Sequence, residues 1–155
     1  MTLVISRESP VGGDLALLFQ RHTADMHADT PPESIHMMDA SELDTPAVHF
    51  FVARENGSAV AMGAFKHLSD PTHAEIKSMH VLAEARGRGL SKAMLTHVED
   101  AARAAGVARL SLETGVQPTF IAARALYERA GYSVCGPFEG YWDDPNSLFM
   151  TKSLV

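Results

Sequence analysis

The sequence is poor in cysteine and has no long apolar run. One cysteine, Cys135, stands among 155 residues, which excludes an internal disulfide framework and a cysteine-rich zinc site. No apolar run is long enough to cross a bilayer, and the first ten residues lack the basic and apolar segments of a secretory signal. We therefore expect a cytoplasmic protein that does not associate with membranes.

Positive charge is also scarce. The chain has 13 lysines and arginines against 19 aspartates and glutamates, so its formal net charge is −6 at pH 7. This balance argues against a nucleic-acid-binding protein, which usually carries a basic surface. The chain is 46% hydrophobic and shows no internal repeat or linker. These features predict one folded domain over residues 1–155.

The eight histidines form no recognisable metal-binding motif. His22 and His27 are five residues apart in a helical pattern, a poor spacing for sharing a metal ion, and HExxH does not occur. We expect no metal site, and we interpret the histidines as surface or pocket residues.

Hydrophobic periodicity predicts the order of the secondary-structure elements. A strand and a helical region come first, followed by three strands, a helix, a strand, a helix and two strands. Asn56-Gly57 predicts a hairpin turn, since glycine readily supplies a positive φ. A short helix is expected over residues 33–38. The early run of three strands argues against a doubly wound nucleotide-binding fold and favours an α/β (α+β) fold with a mixed sheet.

Residues 85–95, ARGRGLSKAML, place two glycines and two arginines at the start of a helix. A helix N-terminus has unpaired amides and partial positive charge, and glycine lets a ligand approach the backbone closely. The stretch therefore suggests a phosphate-binding site. The alternative is a flexible turn with two solvated arginines. The spacing matches neither a Walker loop nor a dinucleotide fingerprint.

The segments EIKSMHVLAEARGRGLSKAML, LSLETG and ARALYERAGY together resemble the core of the GNAT superfamily of acetyl-CoA-dependent N-acyltransferases. The family signature is Gln or Arg, two residues, Gly, one residue, then Gly or Ala. Arg86 and Gly89 match it, whereas Ser91 stands at the last position. The resemblance extends from Phe50 to the C-terminus. It implies a mostly antiparallel sheet of six to seven strands, about four flanking helices, and acetyl-CoA as co-substrate.

The resemblance also implies where coenzyme A binds. The strand before the loop would separate from its neighbour and pair with the pantetheine arm through Met79 and Val81, and the Met79 amide would stabilise the oxyanion. Many relatives carry Asn where Phe120 stands, so we expect that pantetheine contact to be lost or replaced. The loop amides would hold the pyrophosphate. The implied contacts with coenzyme A are Met79, His80, Val81, Arg86, Gly87, Arg88, Gly89, Leu90 and Ser91.

By the same resemblance, Glu75 and Tyr127 are the candidate base and acid. Several family members place a catalytic glutamate at the position of Glu75, and burial would raise the pKa of its carboxyl. The alternative for Glu75 is an ion pair with Lys66 or Lys77. Tyr127 matches the tyrosine that protonates the departing thiolate in many members; the alternative is a packing aromatic.

His80 is the rival base. Strand alternation places its side chain on the sheet face opposite that of Glu75.

The acceptor site is expected between residues 27–38 and the loop 137–146, which is rich in aromatic and acidic residues. Such a pocket suits a cationic or aromatic amine; the alternative is a solvated loop. We predict acetyl transfer to the primary amine of a small molecule. Protein N-terminal or lysine acetylation, a non-catalytic coenzyme A-binding domain and a homodimer stay open. The candidate acceptor-binding residues are Glu113, Tyr141 and Trp142.

Overall fold

The computed structural model of the chain describes residues 2–155. The order of its elements confirms the order predicted from periodicity. The elements are β1 (Leu3–Arg7), α1 (Ala16–Asp29), α2 (Ala40–Leu43), β2 (Val48–Glu55), β3 (Ser58–His67), β4 (His73–Val81), α3 (Leu90–Ala104), β5 (Arg109–Gly115), α4 (Ile121–Arg129), β6 (Ser133–Cys135) and β7 (Ser147–Ser153).

The strands form one seven-stranded sheet in the order β1-β2-β3-β4-β5-β7-β6. Within this sheet only β4 and β5 run parallel, so the prediction of a mixed, mostly antiparallel sheet is confirmed. The β2–β3 hairpin turns at Asn56 and Gly57, whose φ angles are 51° and 86°. Two successive positive φ values are the geometry for which Asn-Gly is selected in tight hairpins.

Helices α1 and α3 cover opposite faces of the sheet. Phe19 of α1 stacks on Phe50 of β2 at 5.8 Å between ring centroids, whereas the neighbouring Phe51 meets His97 of α3 at 4.9 Å. Since successive strand residues point to opposite faces, these contacts define an α1 face and an α3 face. No helix within residues 2–155 is long and apolar enough to cross a bilayer.

The prediction of a short helix over residues 33–38 is wrong. That region contains a single 3₁₀ turn at Pro32–Ser34, and the helix α2 begins only after Asp39. The Asp39 carboxylate accepts a hydrogen bond from the Glu42 amide at 2.8 Å, and the Glu42 carboxylate accepts one from the Asp39 amide at 3.1 Å. This capping box starts the helix later than the apolar pattern suggested.

Strands β4 and β5 separate in the middle of the sheet. They pair only from His73–Glu75 to Arg109–Ser111, although β4 continues to Val81 and β5 to Gly115. The separation expected from the family resemblance is therefore present, and it opens a gap at the centre of the sheet.

A β-bulge interrupts β4 beside this gap. Ser78 and Met79 both stand against the single Gly63 of β3, and Ser78 has a φ of 58°. A Cβ atom at position 63 would lie 2.6 Å from the sulfur of Met79 and 2.8 Å from Met94, so any larger residue would have to displace these side chains. The extra residue reverses the alternation of β4 beyond the bulge.

Candidate active site

An open cleft of about 990 Å³ follows the gap between β4 and β5. It extends from the loop before α3 to α1 and the segment that follows α1. Three predicted residues, Arg88, Tyr141 and Trp142, do not line it. The other predicted residues all do: Glu75, Met79, His80, Val81, Arg86, Gly87, Gly89, Leu90, Ser91, Glu113 and Tyr127.

One end of the cleft is the N-terminus of α3. Gly89 precedes the helix with a φ of 78°, Gly87 has a φ of 79°, and Gly89 offers no capping side chain. A Cβ at either glycine would meet open space, so the backbone conformation, rather than packing, requires glycine. The first helical amides therefore face the cleft without a side-chain cap, which fits an anionic group such as a pyrophosphate.

The two arginines of the loop are held by protein groups. Arg86 donates from Nε to the carbonyl of Val81 at 3.0 Å and from a guanidinium N–H to the Asp25 carboxylate at 3.1 Å. Arg88 donates to the Glu55 carboxylate at 2.8 Å. These contacts fasten the loop to β4, α1 and β2, so the arginines shape the loop as well as adding charge.

The backbone of Val81 points into the gap between β4 and β5. The next amide, that of Leu82, donates to Val60 of β3 at 3.0 Å. Because backbone groups alternate in direction along a strand, the N–H of Val81 faces away from β3, and Met79 lies two residues earlier. An extended chain in the gap could pair with this edge.

At the other end of the cleft, Glu75 and Lys77 line the wall and both contact Tyr141, which does not line it; we call these three residues the Glu75 cluster. The Tyr141 hydroxyl donates to Oε2 of Glu75 at 2.5 Å and accepts from Nζ of Lys77 at 3.0 Å. Lys77 Nζ also lies 3.3 Å from Oε2 of Glu75, so the ion pair considered as an alternative for Glu75 is present. Burial, followed by the charge of Glu75, raises the pKa of the Tyr141 hydroxyl.

Glu113 lies beside this cluster on the same face of the sheet. Glu113 stands two residues after Ser111, and Ser111 pairs with Glu75 across the parallel strands. Its carboxylate accepts from the Ser147 hydroxyl at 2.7 Å and lies 4.0 Å from His36. Burial raises the pKa of the Glu113 carboxyl.

The loop 137–146 is anchored through two of its three aromatic residues. Phe138 and Tyr141 pack against Phe149 of β7, with centroids 5.9 and 5.5 Å away. Trp142, by contrast, is 52% exposed. The structure therefore brings Tyr141 to Glu75 but does not bring Trp142 to the cleft.

Tyr127 lines the cleft, and burial raises the pKa of its hydroxyl. Its ring meets Tyr132 edge-on at 5.6 Å. The Tyr132 hydroxyl donates to Glu99 at 2.8 Å, and Lys152 donates to the same Glu99 oxygen at 2.9 Å. We call Glu99, Tyr132 and Lys152 the Glu99 cluster.

The expected orientation of His80 is wrong. His80 stands opposite Met62, whereas Glu75 stands opposite Lys66, and these two β3 residues share one face. The bulge at Ser78 and Met79 thus places His80 on the same face as Glu75. His80 Nε2 is buried without a hydrogen-bond partner in the described chain, and burial lowers the pKa of this ring.

Sequence reasoning assigned no individual role in this cleft to His22, His36 or Lys77, although it named Lys77 as a possible partner of Glu75 and placed residues 27–38 at the acceptor site. His22 of α1 lies 5.3 Å from the His80 ring, and burial lowers its pKa to about 4. His36 and Lys77 lie at the end of the cleft that holds the Glu75 cluster. These residues come from separate elements, so only the folded chain shows that they meet. Residues 2–155 contain no group of three or more His, Cys, Asp or Glu side chains that could hold a metal ion.

Phe120 stands at the position where the family resemblance implied Asn. A Cβ atom on Gly115 would come within 2.3 Å of its ring, so the aromatic side chain packs directly on the end of β5. It also lines the cleft.

The open central sheet and the glycine-rich helix start define an acyltransferase. The chain belongs to the acetyltransferase (GNAT) family, whose model matches residues 16–132.

Among its relatives, the uncharacterized N-acetyltransferase YsnE of Bacillus subtilis (strain 168) is 42% identical over 143 residues, covering 92% of this chain and 94% of the relative. The IAA acetyltransferase of Azospirillum brasilense is 40% identical over 156 residues, covering 98% of each chain. A solved structure from Klebsiella pneumoniae subsp. pneumoniae, provisionally named an acyl-CoA N-acyltransferase, superposes with a TM-score of 0.85. It is 30% identical and covers 99% of each chain.

Proposed function

We propose that this protein transfers the acetyl group of acetyl-CoA to a primary amine of a small molecule, by direct attack within a ternary complex. The observation that carries the proposal is the cleft itself. It joins an uncapped helix N-terminus at one end to a buried carboxylate at the other, and Tyr127 also lines it. The two ends suit the phosphates of the donor and the amine of the acceptor.

The residues at the α3 end fit a coenzyme A pyrophosphate. The amides of residues 86–91 would hold it, because positive φ at Gly87 and Gly89 turns this backbone around the helix start. The edge of β4 at Met79 and Val81 would pair with the pantetheine arm, as one strand pairs with another. When bound, acetyl-CoA supplies an activated acetyl thioester.

Glu75 would accept the proton that the amine loses. An alkylamine is protonated at neutral pH, so a base must remove a proton directly or through water. Oε2 of Glu75 is engaged by Tyr141 and Lys77, which leaves Oε1 for this role. As the C–N bond forms and the C–S bond breaks, the Met79 amide would stabilise the oxyanion. The Tyr127 hydroxyl would donate its proton to the departing thiolate.

The acceptor would bind beside residues 36–37, at the end of the cleft where the anchored loop 137–146 contacts Glu75 and Lys77 through Tyr141. Two acidic residues lie at this end of the cleft, namely Glu75 and Glu113, and Tyr141 adds an aromatic ring beside Glu75. This arrangement supports a cationic or aromatic amine. The relative named IAA acetyltransferase, 40% identical along nearly the whole chain, supports a small molecule rather than a protein.

The proposal is tested by incubating the protein with acetyl-CoA and a panel of small amines, reading free thiol release and identifying products by mass spectrometry. We expect amine-dependent release and an N-acetylated product. Peptides with free N-termini or lysines belong in the panel, since turnover on them alone would replace the small-molecule acceptor. Calorimetric binding of acetyl-CoA without turnover on any member would indicate a non-catalytic coenzyme A-binding domain.

A further inference from the structure

Lys77 connects the floor of the cleft to both walls of the acceptor end. Its ammonium has three N–H donors and three acceptors within reach. It donates to the His36 carbonyl at 3.0 Å, donates to the Tyr141 hydroxyl at 3.0 Å, and lies 3.3 Å from Glu75. His36 belongs to the segment after α1 and Tyr141 to the loop before β7. One side chain, 11% exposed, therefore joins two segments that are distant in sequence.

The same contacts make the two oxygens of Glu75 unequal. Oε2 receives the Tyr141 hydroxyl and faces the Lys77 ammonium, whereas Oε1 has no hydrogen-bond partner among residues 2–155. Two charge-assisted contacts on one oxygen oppose rotation of the carboxylate. Glu75 also lines the cleft, so the fixed orientation leaves Oε1 as its uncommitted acceptor.

We propose that Lys77 and Tyr141 are positioning residues for Glu75. They hold the carboxylate with Oε1 available to the acceptor, and they align it only when both walls are in place. This inference rests on the proposed role of Glu75 as base. A Lys77 that merely compensates buried charge would stabilise the protein without acting through Glu75.

Kinetics separates these two roles. Lys77→Met removes the charge at similar length, and Tyr141→Phe removes one oxygen while keeping the packed ring. We expect each to lower kcat about tenfold while KM for acetyl-CoA stays constant, because a misdirected base loses alignment rather than donor binding. In a Glu75→Gln background both losses should disappear, since no base remains to be positioned.

The control is Lys66→Met. Lys66 stands opposite Glu75 on the neighbouring strand, and no hydrogen bond or ion pair joins the two in the described chain. Lys66→Met should therefore leave kcat unchanged. Unaltered kcat in Tyr141→Phe and Lys77→Met, or equal losses in the Glu75→Gln background, would overturn the positioning role.

Hydrogen exchange tests the connection to the walls without needing an acceptor. Lys77→Met should speed amide exchange in residues 30–38 and in 137–146. Tyr141→Phe should affect only 137–146, because the Lys77 contact with the His36 carbonyl remains. Parent-like exchange of both segments in Lys77→Met would contradict the inference. If the parent protein acetylates no amine, the proposed function fails, and the exchange result still decides whether Lys77 fastens the walls.

Discussion

The two faces of the sheet carry chemically matching clusters. On the α1 face, Glu75 accepts from Tyr141 and faces Lys77; on the α3 side, Glu99 accepts from Tyr132 and Lys152. In both clusters one carboxylate oxygen takes both contacts. The lysines also lie over the tyrosine rings, at 5.7 Å in the first cluster and 5.5 Å in the second.

The clusters differ in what surrounds them. The Glu75 cluster joins a strand to two irregular segments at the proposed acceptor end, including the backbone of His36. The Glu99 cluster joins α3 to the end of the sheet and backs the ring of Tyr127 through Tyr132. Similar carboxylate, tyrosine and lysine contacts are therefore proposed to serve a base in one place and packing in the other. In this proposal the segments that surround each cluster, rather than the carboxylates themselves, determine whether the glutamate acts as a base or only packs.

The largest expected effect separates the two glutamates. Glu75→Gln should lower kcat about 100-fold, because the amide cannot accept the amine proton. Glu99→Gln should leave kcat nearly unchanged but lower the free energy of unfolding by about 1–3 kcal/mol, through weaker bonds to Tyr132 and Lys152. Turnover at saturating substrates and urea denaturation measure the two quantities. Equal losses of kcat would remove the functional distinction.

The next effect concerns the far end of the cleft. Gly89→Val forces a β-branched residue into positive φ, which costs about 2 kcal/mol of backbone strain. A loop that shifts to relieve this strain would lose the binding geometry, and the same free energy corresponds to about a 30-fold loss of acetyl-CoA affinity. Gly57→Val is the matched control, since Gly57 also has positive φ and open space but lies in the β2–β3 turn. Calorimetry should show weakened binding only for Gly89→Val. Unchanged affinity would place coenzyme A elsewhere.

A smaller effect distinguishes the two tyrosines that meet edge-on. Tyr127→Phe should lower kcat with acetyl-CoA affinity retained, because the departing thiolate loses its proton donor. The loss should be only about tenfold, since a thiol of pKa about 8.5 gains little from protonation as it leaves. Tyr132→Phe should reduce stability instead, since its hydroxyl is bonded to Glu99. Steady-state kinetics and thermal unfolding distinguish the variants. A kcat loss confined to Tyr132→Phe would reverse the assignment.

The smallest effect is expected at Trp142. The sequence suggested this residue for the acceptor pocket, but its side chain is exposed and away from the cleft. Trp142→Ala should therefore change KM for the acceptor by less than about twofold, as is usual for a surface position. A large rise in KM would mean that the loop folds over the bound acceptor.

Most of the fold could be predicted because its signals are local. Strand alternation, the Asn56-Gly57 turn and the glycines before α3 act over a few residues, and their predicted structures are present. The helix predicted at 33–38 failed because the capping pair of Asp39 and Glu42 was overlooked. The capping box is also a local signal, and it can be recognised in the sequence.

The candidate site was less predictable because it depends on long-range geometry. Simple alternation placed His80 on the sheet face opposite that of Glu75, but the bulge at Ser78, which has a positive φ, reverses the side-chain alternation beyond it. Tyr141 was identified as an acceptor residue, yet its bond to Glu75 spans 66 positions. The packing of Phe138, Phe149 and His36 around the Tyr141 ring brings that hydroxyl to the carboxylate.

The most direct test is a crystal structure of the protein with coenzyme A. Our account predicts the pyrophosphate on the amides of residues 86–91 and the pantetheine arm beside Val81. The sulfur should lie within hydrogen-bonding reach of the Tyr127 hydroxyl, on the side of the cleft that leads to Glu75. A sulfur placed beside Glu99 instead, or a pyrophosphate away from the start of α3, would contradict the account.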